Sequence, residues 1–144
     1  MVDAQTAFAR AQRRRRRDRI LRRASHRLPS IDEKLAGTPP SIRHADRLEA
    51  IPLESIVGTA ETAKTRSFDR RFRPPSSSRR RWERLWMAGR RGESLPPISV
   101  YRVSGRHFVR DGHHRVSVAH ALGMVAIDAQ VTDLAYSGSG CSTG

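Results

Sequence analysis

The run Asp111-Gly112-His113-His114-Arg115 places a carboxylate, two imidazoles and a guanidinium around a single glycine. Residues of this kind between a strand and a helix can bind and move charge. The unpaired amide N–H groups of a first helical turn converge on one spot, and such a spot favours phosphate. Gly112 would let backbone approach the ligand closely. Arg115 would supply a planar, permanently charged fork for phosphate oxygens, and His113 or His114 a further hydrogen bond. A bare carboxylate beside phosphate is unfavourable. Asp111 is therefore expected either to cap the helix or to hold Mg²⁺ against the phosphates, and it is the candidate catalytic group. The same residues also have a plain structural reading. Asp-Gly is a common turn, histidines often face solvent, and an arginine can pair with a surface carboxylate. A zinc site is disfavoured because adjacent histidines diverge and no further ligand stands at a suitable spacing.

The elements around this run follow from local patterns. His107-Phe108-Val109 completes a hairpin with a strand over Ile98 to Val103, through Ser104-Gly105. Val116 to Leu122 forms an apolar helix that Gly123 stops, and Ile127 to Val131 a last strand. Upstream, Trp82, Leu85 and Trp86 recur at helical spacing between Arg79 and Ala88, which marks both tryptophans as core and leaves Arg80, Arg81, Glu83 and Arg84 for other faces. Arg47 to Leu53 alternates as a strand, and Leu53 to Val57 turns into a short helical piece ending at Gly58. Residues 59–77 are expected to be an extended loop, with Pro74, Pro75 and a run of serines. A short helix is placed near Ile31 to Leu35, within a stretch punctuated by Pro29, Gly37, Pro39 and Pro40. Ala4 to about Arg27 favours helix, but Arg13 to Arg17 is a run of self-repelling charge, which predicts an arm ordered only in part without an anionic surface against it. Residues 1–40 thus read as arm and linker, 41–134 as the domain, and 135–144 as a flexible Ser/Gly tail.

The 144 residues carry a formal charge of +14, and all basic residues except Lys34 and Lys64 are arginine. Residues 1–30 and 66–91 each carry +8, and the remainder carries −2. Two basic stretches therefore bracket a nearly neutral body and predict an anionic partner, nucleic acid among the possibilities. The single cysteine, Cys141, excludes an internal disulfide and a cysteine zinc site. No apolar run reaches the ~20 residues of a membrane span. A soluble, cytoplasmic protein with no membrane partner is expected; oligomeric state is left open.

In chain order, Ile51-Pro52-Leu53-Glu54-Ser55-Ile56, Arg66 with Phe68-Asp69, Leu95-Pro96-Pro97-Ile98, and Phe108-Val109-Arg110-Asp111-Gly112-His113-His114-Arg115 with Ala119 and Gly123 resemble the ParB N-terminal domain of the ParB/sulfiredoxin superfamily, over about residues 48–132. The resemblance implies an α+β fold, a small mixed sheet with flanking helices, preceded here by the basic helical arm. It implies nucleotide phosphates at Gly112, His113, His114 and Arg115, with Arg66 reaching in from the long loop. His113 stands where sulfiredoxins carry their catalytic cysteine, which removes sulfinic-acid repair, and where partitioning proteins carry glutamate, which puts nucleotide hydrolysis in doubt. Free-serine kinases are similar through an Asp-Gly-His-Thr-Arg form that differs at His114. The family's catalytic carboxylate is left open among Glu54, Glu61 and Asp69. Beyond Val131 there is no length for the DNA-clamping regions of partitioning proteins.

The leading expectation is a nucleotide-binding domain that takes a nucleoside triphosphate or diphosphate with Mg²⁺. Its DNA association is open, and so is whether it is an enzyme. The alternatives are a small-molecule phosphotransferase of the free-serine-kinase type, and a basic nucleic-acid-binding accessory that uses residues 1–30 and 66–91 beside a degenerate pocket.

Overall fold

Apolar residues alternate along Ile98-Ser99-Val100-Tyr101-Arg102-Val103, and this segment is the middle strand of a five-stranded sheet. The computed structural model describes residues 3–21 and 26–135. The strands are β1 (Ser41–Pro52), β2 (Ile56–Thr59), β3 (Ile98–Val103), β4 (Arg106–Asp111) and β5 (Ala126–Ala135), in the order β1-β5-β3-β4-β2. The β1/β5 and β3/β4 pairs are antiparallel, and β3/β5 and β2/β4 are parallel. The sheet is therefore mixed and the chain is α+β, as the sequence implies. Ser104 and Gly105, both at positive φ (52° and 76°), make the tight turn between β3 and β4.

Alternation sends the side chains of β3 and β4 to two cores. Ile98, Val100 and Val109 face α5 (His113–Ala121) and bury Val116 and Ala119. Val103 and Phe108 face α2 (Ile31–Leu35) and bury Ile31 and Leu35. On the first side the helices stack outward. Trp82 of α4 (Arg79–Arg90) donates its indole N–H to Ser117 Oγ at 2.9 Å, and Gly89 lets Leu122 approach closely. Phe8 of α1 (Ala4–Leu21) meets the Trp82 ring edge-on at 5.5 Å, with Ala4 and Ala7 in the same cluster.

Three local expectations change. Leu53–Ser55 is a single 3₁₀ turn, but Ile56 to Thr59 is strand β2 rather than helix. Pairing with β4, and a close approach of the Pro29 carbonyl that leaves no room for a side chain at Gly58, override the local preference. Within residues 59–77 a short helix, α3 (Lys64–Ser67), and a 3₁₀ turn at Ser76–Ser78 appear. Between them the Asp69 carboxylate accepts the N–H groups of Arg71 and Arg73, which holds buried Phe72 at φ +59°. The basic arm is also not self-repelling throughout. Arg15 is buried, and its guanidinium donates to the carbonyls of Ser67 (2.7 Å), Arg66 (3.0 Å) and Arg73 (3.3 Å), which ties α1 to the loop. Asp18 pairs with Arg73 at 2.5 Å. The part of the expected helix beyond Leu21 runs into residues 22–25, and these, like the tail 136–144, lie outside the described residues.

At the sheet edges, β2 is covered by the Pro29-Ser30 segment, whose Pro29 carbonyl accepts the Thr59 N–H at 2.9 Å. Edge strand β1 is mostly exposed and carries Arg43, His44, Asp46, Arg47 and Glu49, with irregular register between Ile42 and Arg47. No helix among the described residues is long and apolar enough to cross a membrane.

Replacing Arg15 by Ala leaves carbonyls of the 66–73 loop without their charged donor, and hydrogen bonds to charged groups contribute ~1.5–3 kcal/mol. Urea unfolding of Arg15→Ala is expected to show a loss of about 2 kcal/mol. A midpoint equal to wild type would mean that α1 is not anchored there.

Candidate functional site

The exit from β4 sets the site. Gly112 takes φ +106°, and a Cβ on it would lie 2.5 Å from Ile98 Cγ2, so both backbone conformation and packing demand glycine. What approaches Gly112 closely is thus the sheet core. The chain then enters α5, whose amino end has no side-chain cap. Asp111 does not serve as the cap. Its carboxylate, 78% exposed, pairs instead with Arg115 at 3.0 Å. Arg115 also donates to the carbonyls of Pro96 (2.6 Å) and Pro97 (2.8 Å), clamping the entry to β3. The structure therefore commits the side chains of both ends of the five-residue run to local contacts.

His113 points inward. It is 4% exposed, its Nε2 shares a 2.7 Å hydrogen bond with Thr59 Oγ1, and its ring stacks on Phe68 at 5.7 Å. Burial, with Lys64 and His114 adding repulsion, pushes its pKa down to about 4. His114 is half-buried and lies edge-on to Phe68 at 5.0 Å, and its Nε2 has no hydrogen-bond partner. Burial, then the charges of Arg81 and Lys64, push it also to about 4. Both imidazoles are neutral near pH 7 and supply no positive charge.

The positive charge comes from other segments. A cleft of about 620 Å³ opens between α4 and the amino end of α5. Gly112 to Arg115 form one wall; Lys64 of α3 and Arg81 and Arg84 of α4 form others. Of the further cations there, Arg91 pairs with Glu93 and Arg110 lies over the Tyr101 ring at 4.5 Å. Lys64, Arg81 and Arg84 make no ion pair among the described residues, so their charge is available to an incoming anion. Arg66, by contrast, is exposed outside this cleft, and its carbonyl is taken by Arg15. Arg81 and Arg84 were visible only as off-core positions of the Trp82/Trp86 helix, and no spacing rule links them to a turn some thirty residues later in the chain.

The three carboxylates left open by the sequence separate cleanly. Asp69 is buried in the turn before Phe72 and Glu54 lies outside the cleft, whereas Glu61 lines it. Glu61 makes no ion pair among the described residues. No group of three possible metal ligands is gathered among the described residues.

No protein-family model matches the chain, and no curated protein matches it. Among solved structures, the crystal structure of sulfiredoxin from Arabidopsis thaliana is similar. It is 25% identical with a TM-score of 0.44, over 59% of this chain and 83% of that one.

Two depressed imidazoles give stability a definite pH dependence. A histidine that titrates at about 4 when folded and near 6.5 when unfolded binds more protons in the unfolded state between those values, so its stabilisation is complete above pH 6.5 and is lost as pH falls toward 4. For His113 the full effect is about 3 kcal/mol. Urea titrations are expected to show falling stability across that window, with a shallower fall in His113→Gln. The residual slope reflects His114, His107, His120 and His26, which shift in the same direction. Identical slopes in the two proteins would contradict a buried neutral His113.

Proposed function

We propose that the cleft between α4 and α5 binds the phosphates of a nucleotide, with Mg²⁺ carried in on them. The observation that carries this reading is the convergence of three unpaired cations, Lys64, Arg81 and Arg84, on the uncapped amino end of α5. Amides of residues 113–115 and a helix dipole meet mobile positive charge there, which suits a di- or triphosphate better than a neutral ligand. His114 Nε2, buried without a partner, adds a polar atom that a ligand could satisfy. Asp111 and Glu61 both line the cleft, and one or two carboxylates are what Mg²⁺ commonly takes beside phosphate oxygens. When bound, the ion would neutralise phosphate charge. Arg115 contributes chiefly by holding α5 against Pro96 and Pro97, and Arg66 takes no part.

Thermal shift across nucleoside di- and triphosphates with Mg²⁺ tests this. Binding at a hundredfold excess over Kd stabilises by about 2.7 kcal/mol. At least one nucleotide is expected to raise the Tm of wild type, and Arg81→Gln/Arg84→Gln to weaken it by about tenfold or more. These residues are exposed and unpaired, so the variant should fold normally, unlike Arg115→Ala. The idea sinks if no nucleotide stabilises wild type more than the variant.

A second reading, phosphoryl transfer to a small hydroxyl compound, is favoured by Glu61, the cleft carboxylate that has no ion-pair partner among the described residues. In that reaction Glu61 would accept the proton of the attacking hydroxyl while Lys64, Arg81 and Arg84 hold the phosphate charge. Nucleotide consumption in a screen of hydroxyl acceptors is expected to fall ~10²-fold or more in Glu61→Gln with nucleotide affinity retained. Equal turnover in the two proteins would remove Glu61 from the reaction, and no turnover with any acceptor would leave binding alone.

A further inference from the structure

The two arginine-rich stretches lie some fifty residues apart in the chain, yet the fold brings them to one place. A second cleft, of about 390 Å³, lies between α1, the turn at 69–73 and the carboxyl half of α4, on a different side of α4 from the first. Arg10 and Arg14 enter from α1, Arg71 and Arg73 from the turn, and Arg90 from α4, and no acidic side chain lines it among the described residues. Arg73 is committed to Asp18 and Asp69. Arg10, Arg14, Arg71 and Arg90 make no ion pair among the described residues. The first cleft, by comparison, mixes its cations with Glu61, Glu93 and Asp111.

A second observation is independent of the charge. Trp86, which lines the cleft with Arg90 5.9 Å over its ring, is 5% exposed, and its indole N–H has no acceptor among the described residues. A buried donor without a partner is costly, and tryptophan can only donate. The other tryptophan has its acceptor in Ser117. An oxygen that reached the Trp86 N–H from the cleft would satisfy it.

From this we infer that the second cleft holds the phosphodiester backbone of a nucleic acid, with a phosphate oxygen on the Trp86 indole N–H and the flanking arginines on its neighbours. A polymer fits better than a single phosphate because the cations continue past the cleft. Arg10, Arg14 and Arg17 recur at one-turn intervals of about 5.4 Å along an exposed stripe of α1. Arginine forks match phosphate oxygens. With its ring buried, Trp86 offers no platform for stacking bases, so binding is expected to ignore sequence. The inference concerns residues outside the nucleotide cleft and stands or falls separately from it.

The test is fluorescence anisotropy of the full chain with labelled duplex DNA, single-stranded DNA and RNA of one sequence, across a salt series. Wild type is expected to bind with a steep salt dependence. Arg10→Gln/Arg14→Gln should weaken binding about tenfold or more and lower the magnitude of the logarithmic salt slope on duplex by about two. It should leave the nucleotide-induced Tm shift unchanged, which separates this site from the first cleft. Trp86→Phe removes the donor together with the five-membered ring of a buried core residue, so some loss of Tm is expected and affinity is measured well below the Tm of the variant. There it should weaken binding several-fold, whereas a purely packing role would lower Tm and leave affinity alone. The three probes assign the source as DNA or RNA. The inference is overturned by unchanged affinity and slope in the arginine variant, by Trp86→Phe binding like wild type, or by polyglutamate of matched charge displacing the labelled nucleic acid as well as unlabelled nucleic acid does, since the cleft would then accept any polyanion.

Discussion

The bend between β4 and α5 is the constraint on which the rest of the molecule is built. At Gly112 the chain must leave the sheet at φ +106° while its Cα rests against Ile98, and only a residue without Cβ does both. Once that turn is made, α5 lies across the sheet with Val116 and Ala119 on Val100 and Val109. Trp82 and Gly89 then seat α4 on α5, and Phe8 seats α1 on α4. Each layer presents the next with an apolar patch that is small and specific. Charged residues lie on the outer faces and in the gaps between layers. Both clefts are such gaps, one before α4 and one behind it.

This layering explains why the residues with the most chemical promise are occupied with structure. Arg115 grips two proline carbonyls and Asp111, and His113 is stacked on Phe68 and bonded to Thr59. A tight turn that carries an entire helix needs side chains to fix it, and the nearest polar ones are recruited. The amino end of α5 has no side-chain cap, and the unpaired cations that line the cleft beside it, Lys64, Arg81 and Arg84, come from α3 and α4. The helix end and the unpaired cations beside it thus come from different parts of the chain.

That division sets what could be learned from the sequence. The β3/β4 hairpin, the core placement of Trp82 and Trp86, and the stop at Gly123 rest on local periodicity and turn chemistry, which short windows contain, whereas the α+β class was implied by the family resemblance. Strand β2 was hidden because its partner, β4, and the Pro29 carbonyl above Gly58 are distant in sequence. The docking of α1 was hidden for another reason. Arg13 to Arg17 are chemically identical, and nothing local tells that Arg15 turns inward onto the carbonyls of Arg66 and Ser67 while its neighbours face solvent. Glu61 could be named as one of three carboxylates but not chosen, since choosing it required knowing that Asp69 spends both oxygens on its own loop.

The two ends of the sheet have a consequence for how this chain behaves in company. An open strand edge is a template on which a second chain can add hydrogen bonds without limit, the first step toward fibrils. Here the β2 edge is occupied by Pro29 and Ser30, a segment of the same chain. The β1 edge has no partner strand among the described residues, but its register slips between Ile42 and Arg47 and its charges alternate in sign, so a neighbouring strand finds neither a regular ladder nor a uniform face. Wherever copies of the chain are crowded together, these blunted edges oppose the conversion of that crowding into strand-to-strand aggregation.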